Sequence, residues 1–178
     1  VNDKAVVPGK TMSEVSKILG DDETPINICL IDNYIIFDLG HTRITSRTLE
    51  GNFIKYENVI PPDLTSEFLV NKKMFEDSIE RASLIAKENK TSYIVMSIGE
   101  NMLNITAKAE VGNAHERIPI SLIGKETDIG FTARYLTECL KVVEDEFVKL
   151  CFNSNSKPCI IKTTEDEGFL YLVVPVRL

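Results

Sequence analysis

EFLVNKKMF, residues 67–75, and DIGFTARYL, residues 128–136, run through the same order of residue types at a constant offset of 61 (128 − 67). In each, a short apolar run gives way, at Asn71 or Thr132, to a segment with helical spacing. Asn and Thr suit that position because their side-chain oxygens accept bonds from the helix N–H groups that have no partner within the helix. Val6-Val7-Pro8, followed by Lys10-Thr11-Met12, fits the same frame, so the spacing predicts helices over about residues 9–19, 72–88 and 132–143.

Most of the remaining chain alternates apolar and polar residues with period two. TSYIVMSI, MLNITAKA, FVKLCFN and PCIIKTT read as half-buried strands. Unit-closing strands are expected at Asn58-Val59-Ile60-Pro61, Glu116-Arg117-Ile118-Pro119 and Leu172-Val173-Val174-Pro175, whose prolines are 58 (119 − 61) and 56 (175 − 119) residues apart. The pattern amounts to three tandem units of about 60 residues, each strand–helix–three strands. One helix per four strands implies an α+β fold: antiparallel sheets with the helices on a single face. Residues 1–63 form the last half of one domain in this reading, and 64–178 a complete second domain. A first residue Val1, with an immediate run into AVV, reads as a fragment of a longer protein.

Composition narrows the function classes. The chain has 178 residues, 43% of them hydrophobic, and a formal charge of −7. No window approaches the roughly 18 apolar residues of a membrane span, so no membrane partner is expected. Cys29, Cys139, Cys151 and Cys159 form no C-x-x-C pair, and His41 and His115 are isolated. The cysteines are expected to be reduced core thiols, and no metal, cofactor or catalytic residue is expected. VVPGKT (Val6 to Thr11) has the GKT of a phosphate-binding loop, but Lys4 stands at its first glycine position and Pro8 removes a donor. A nucleotide-dependent enzyme using it is one alternative function; a repeat-built protein-interaction module without a DNA role is another.

The acidic triplets 21–23, 144–146 and 165–167 fall at expected turns, while the helical stretches carry Lys10, Lys17, Lys72, Lys73, Arg81, Lys87, Lys90, Arg134 and Lys141. Lys10, Lys73 and Arg134 recur at one place in the repeat, which suggests a shared basic face able to meet phosphates without reading bases.

SRTLEGNFIKYENVIP (46–61), DIGFTARYLTECLK (128–141) and the terminal VVPVRL (173–178) resemble the bacterial sliding clamp family, the beta subunit of DNA polymerase III. The resemblance implies the DNA-clamp fold. It also implies a cytoplasmic bacterial processivity factor, a dimeric ring around duplex DNA, with this chain supplying half of its middle domain and all of its last. Lys10, Lys17, Lys72, Lys73 and Arg134 would face DNA, and Leu84 and Ile85 would meet the other subunit. The replicative polymerase, the clamp loader and other proteins with a clamp-binding motif would bring a short apolar peptide. Its groove would be formed by Ile54, Asn58, Val59, Thr132, Tyr135, Ser156, Pro158, Leu172, Val173, Val174, Pro175, Val176, Arg177 and Leu178, the last three on a free end. The family commonly has Pro at the position of Ile54 and Asn at that of Thr132. A homodimer is expected of the full-length parent, not of this piece, and the clamp itself performs no bond chemistry.

Overall fold

Asn71 caps a helix as its position predicts: its Oδ1 accepts the Met74 amide at 3.0 Å. Thr132 occupies the equivalent cap position but makes no side-chain cap bond. The computed structural model describes residues 4–20, 23–87, 93–164 and 168–178. It divides into two compact units, Val1–Lys55 and Tyr56–Leu178, where the sequence reading divides it after residue 63. Residues just before that point are tied into the second unit: Asn153 donates from Nδ2 to the Asp63 carbonyl and accepts from the Thr65 hydroxyl.

The first unit holds α1 (Gly9–Ile18) and an antiparallel sheet of β1 (Asn27–Ile31), β2 (Tyr34–Asp38) and β3 (Arg43–Arg47), in that order. Its opening strand is reduced to an isolated bridge between Val6 and Leu49. Val15 of α1 packs with Ile35 and Phe37 in a small core, whereas β1 is exposed along its whole length. The Thr11 hydroxyl lies 2.7 Å from that of Ser46, so the Thr of GKT has a structural partner on β3.

The second unit starts with a 3-10 turn at Tyr56–Asn58. It continues with β4 (Ser66–Asn71), α2 (Lys72–Lys87), β5 (Tyr93–Ile98), β6 (Met102–Ala109), β7 (Gly112–Pro119) and β8 (Ser121–Ile123). The pattern then repeats as β9 (Thr127–Thr132), α3 (Ala133–Val142), β10 (Phe147–Phe152), β11 (Cys159–Thr163) and β12 (Leu170–Val173). Two sheets result, β12-β11-β10-β4-β8 and β7-β6-β5-β9. All neighbouring pairs are antiparallel. The first strand of each copy crosses to the other copy's sheet: β4 pairs with β10, and β9 with β5. The two halves are thereby interlocked around one core that includes Phe68, Phe75, Met96, Ile105, Phe131, Leu136 and Phe152. On α2 the buried residues Phe75, Ile79, Ala82 and Ala86 recur every three or four positions, with Ser78 beside them, the stripe a helix needs to lie on a sheet.

One expected strand is corrected. Asn58-Val59-Ile60-Pro61 does not close the first unit; Arg43–Arg47 does. The Val59 and Ile60 amides both bond back to the Tyr56 carbonyl, and Pro61 and Pro62 have no N–H for a ladder. Of the acidic triplets, Asp21, Asp22 and residues 165–167 lie outside the described residues, as does Lys90. Glu144-Asp145-Glu146 does form the link from α3 to β10. There Asp145 accepts the amide and hydroxyl of Thr164 at 2.8 and 3.1 Å, and the Glu146 carbonyl accepts the Lys72 amide at 2.8 Å.

The cysteines divide in an unexpected way: Cys139, Cys151 and Cys159 are buried, but Cys29 on β1 is exposed. Burial pushes the Cys139 and Cys159 thiols up to about 12, and it also raises that of Cys151. A thiol reagent applied to the folded chain at pH 8 should therefore label Cys29 quickly and the other three only after denaturation. A second fast-reacting thiol would contradict this arrangement.

Candidate partner-docking cleft and helix cations

Beyond β12 the chain leaves one sheet and touches the other. Val173, 2% exposed, is the last residue locked in the ladder, paired with Cys159. Pro175 has no amide to donate. Val176 then donates its N–H to the Gly130 carbonyl at 2.8 Å, forming an isolated antiparallel bridge on β9. The end of the chain is therefore held at a defined place, which corrects the expectation of a free end at Val176. The sister copy shows the same device carried further, since β8 runs on from β7 to pair with β4 at Ser121, Leu122 and Ile123.

The tail and the loop between β10 and β11 enclose a cleft of about 500 Å³, lined by Asn155, Ser156, Pro175, Val176, Arg177 and Leu178. The loop is short and tied at its base to the segment before β4. Asn153 anchors its base, and the hydroxyls of Ser154 and Ser156 lie 3.4 Å apart. Val174 and Leu178 are each 57% exposed, and Tyr135 on α3 is 48% exposed. Of these only Leu178 lines the cleft, and Val174 and Tyr135 do not; a concave surface that mixes apolar and polar groups in this way can take a short peptide.

Not all the groove residues expected from the sequence meet here. Ser156, Pro175, Val176, Arg177 and Leu178 line the cleft, and Asn155 joins them. Thr132 instead lines a second cleft of about 580 Å³ between α2 and α3, together with Leu84, Lys87, Arg134 and Lys141. Val173 is core, and Leu172 and Pro158 are half-buried. Asn58 ends the 3-10 turn and Val59 beside it is 40% exposed; neither belongs to the cleft lining. Ile54, 65% exposed, belongs to the first unit. Gly130, the seat of the tail, is the residue that sequence reasoning missed. Its signal was a glycine inside an apolar strand, at the position of Leu69 in the repeat (130 − 61).

The helix cations are organised by their own helices. Lys73 bonds Asp77 at 2.7 Å, Arg134 bonds Glu138 through Nε at 2.7 Å, and Lys17 bonds Glu14 at 2.9 Å. The hydrogen bond to the carboxylate raises the pKa of both Lys73 and Arg134. Spacings of three or four residues place partners on one helix face and steady the side chain without burying it. Lys73 and Arg134 remain 73% and 77% exposed. Lys72 differs: paired with Glu76, its side chain is only 22% exposed. Lys10 is exposed and makes no ion pair among the described residues. Leu84 is 64% exposed, whereas Ile85 packs partly against the core.

Among the described residues no group of His, Cys, Asp and Glu could hold a metal, and no helix is long and apolar enough to cross a membrane. Residues 57–177 match the family described as DNA polymerase III beta subunit, C-terminal domain, and residues 1–55 match its central domain. The "Beta sliding clamp" of Bacillus subtilis is 33% identical over 175 residues, which make up 97% of this chain and 46% of that protein. The crystal structure of the Bacillus subtilis sliding clamp superimposes with a TM-score of 0.90 at 32% identity, covering 98% of this chain and 47% of that one. The DNA polymerase III beta chain of Streptococcus pneumoniae gives a TM-score of 0.92 at 28% identity, with coverage of 98% and 47%. The chain thus spans about half the length of the relatives it matches.

Proposed function

Since the chain belongs to the DNA polymerase III beta-subunit family, we propose that it is the partner-docking half of a sliding clamp. It is a non-catalytic, cytoplasmic subunit that tethers the replicative polymerase to duplex DNA. The observation that carries this reading is the unbroken succession of central-domain and C-terminal-domain matches, ending in a tail that is folded back to line a cleft.

The full-length parent closes a homodimeric ring, with Leu84 supplying an exposed apolar surface for the other subunit and Ile85 packing behind it. Lys10, Lys17, Lys73 and Arg134 meet the phosphates of the encircled duplex. Topology supplies persistence, so these interactions can be weak and indifferent to sequence, which is what sliding requires. Lys72, largely covered by its pairing with Glu76, contributes to helix stability instead. The polymerase, the clamp loader and other partners insert a short apolar peptide into the tail cleft. Val176 and Leu178 supply apolar surface there, and Arg177 and the backbone orient the peptide.

A fluorescein-labelled clamp-binding peptide titrated with this chain should show saturable anisotropy, with a dissociation constant of roughly tens of micromolar. No saturation at millimolar protein would remove the docking reading.

A further inference from the structure

We infer that Gly130 is a positioning residue of the docking cleft, one that sets where the tail lies by having no side chain of its own. This rests on the peptide-docking reading above. A Cβ built on Gly130 would stand 2.6 Å from Leu178 Cδ2 and 2.8 Å from Val176 Cγ2, too close for either side chain to stay where it is, so both must shift to admit it. The residue's φ is not in the left-handed region, so the demand for glycine comes from space rather than from backbone conformation. In the sister copy, Leu69 stands at the equivalent place and is 41% exposed, and the continuing strand β8 simply runs beside it. Gly130 is buried, and the side chains of Val176 and Leu178 cover it. Among the described residues the tail's backbone is joined to β9 through the Val176 amide, so the tail is the part that moves if the space is filled. Losing the seat would move Val176, Arg177 and Leu178 together, and these are three of the six residues that line the cleft.

Gly130→Ala, and the bulkier Gly130→Leu that restores the residue type of the sister copy, test this in the whole chain. Two readouts are needed: hydrogen exchange of the Val176 amide, and affinity for the labelled clamp-binding peptide. The expected result is displaced Val176 and Leu178 side chains with about threefold weaker peptide binding for Gly130→Ala, and loss of protection at Val176 with about tenfold weaker binding for Gly130→Leu. In a chain already lacking Val176–Leu178, neither substitution should lower the melting temperature, because the atoms it strikes are gone. Val176 protection retained in Gly130→Leu, or a fall in melting temperature that persists undiminished in the tail-less background, would overturn the assignment. If the unmutated chain ignores the peptide, the docking reading fails, and the Val176 amide still decides whether Gly130 seats the tail.

Discussion

Removing Val176, Arg177 and Leu178 is expected to weaken peptide binding by about a hundredfold or more while shifting the melting temperature by only about 2–3 °C. The asymmetry follows from where these residues are. Among the described residues the tail adds one bridge to the fold, through the Val176 amide, and Leu178 is 57% exposed, so little burial is forfeited. The same residues form half of the cleft lining, and binding energy concentrates in a few buried apolar anchors at the centre of such a site. Truncation must stop there. Val173 is 2% exposed and paired with Cys159, so a deletion that reaches it would damage the core and report on folding. Anisotropy with the labelled peptide, checked against thermal melts, separates the two effects. Unchanged affinity in the shorter chain would show that the peptide docks elsewhere.

Reversing charge at Lys10, Lys73 and Arg134 in the full-length parent should lower DNA association at about 50–100 mM salt by at least tenfold. It should also flatten the salt dependence by about 0.9 in log–log slope for each phosphate no longer neutralised. Folding should hardly notice. Lys73→Glu and Arg134→Glu place like charges beside Asp77 and Glu138 on exposed helix faces, where solvent screens the repulsion. Lys72→Glu is the contrast: its side chain is mostly covered, so it should cost stability and leave the slope alone. An interaction module without a DNA role predicts no change in association or slope for any of these variants, and filter binding across a salt series would reveal it.

The repeat in the sequence located the three helices to within a residue or so at each end, because apolar spacing and the entry residues Asn71 and Thr132 mark helix starts locally. It could not show that β4 leaves its own copy to pair with β10, or that β9 pairs with β5, since no sequence period records which strand of another copy lies alongside. The closing strand expected at residues 58–61 failed for a related reason. A proline spacing that matches two real strand ends also matches a turn, and only the bonds of Val59 and Ile60 back to Tyr56 tell them apart.

The docking cleft was partly legible. The resemblance pointed to Ser156, Pro175, Val176, Arg177 and Leu178. Its limits depend on tertiary packing that the residue types do not encode: Thr132 faces the cleft between α2 and α3, and Asn155 enters through the fold of the loop after β10. Lys72 and Lys73 are neighbours of one type in the sequence. Only the helix separates them, turning one toward Glu76 under cover and leaving the other in solvent.

Whether this chain is part of a ring whose hold on DNA is topological is tested most directly by retention of the loaded full-length parent on a closed DNA circle before and after one cut. A topological hold predicts retention that survives high salt on the closed circle, prompt release once the DNA is linearised, and no persistent retention of this half-length chain alone. Equal retention on circular and linear DNA, or persistent retention of this chain by itself, would contradict it.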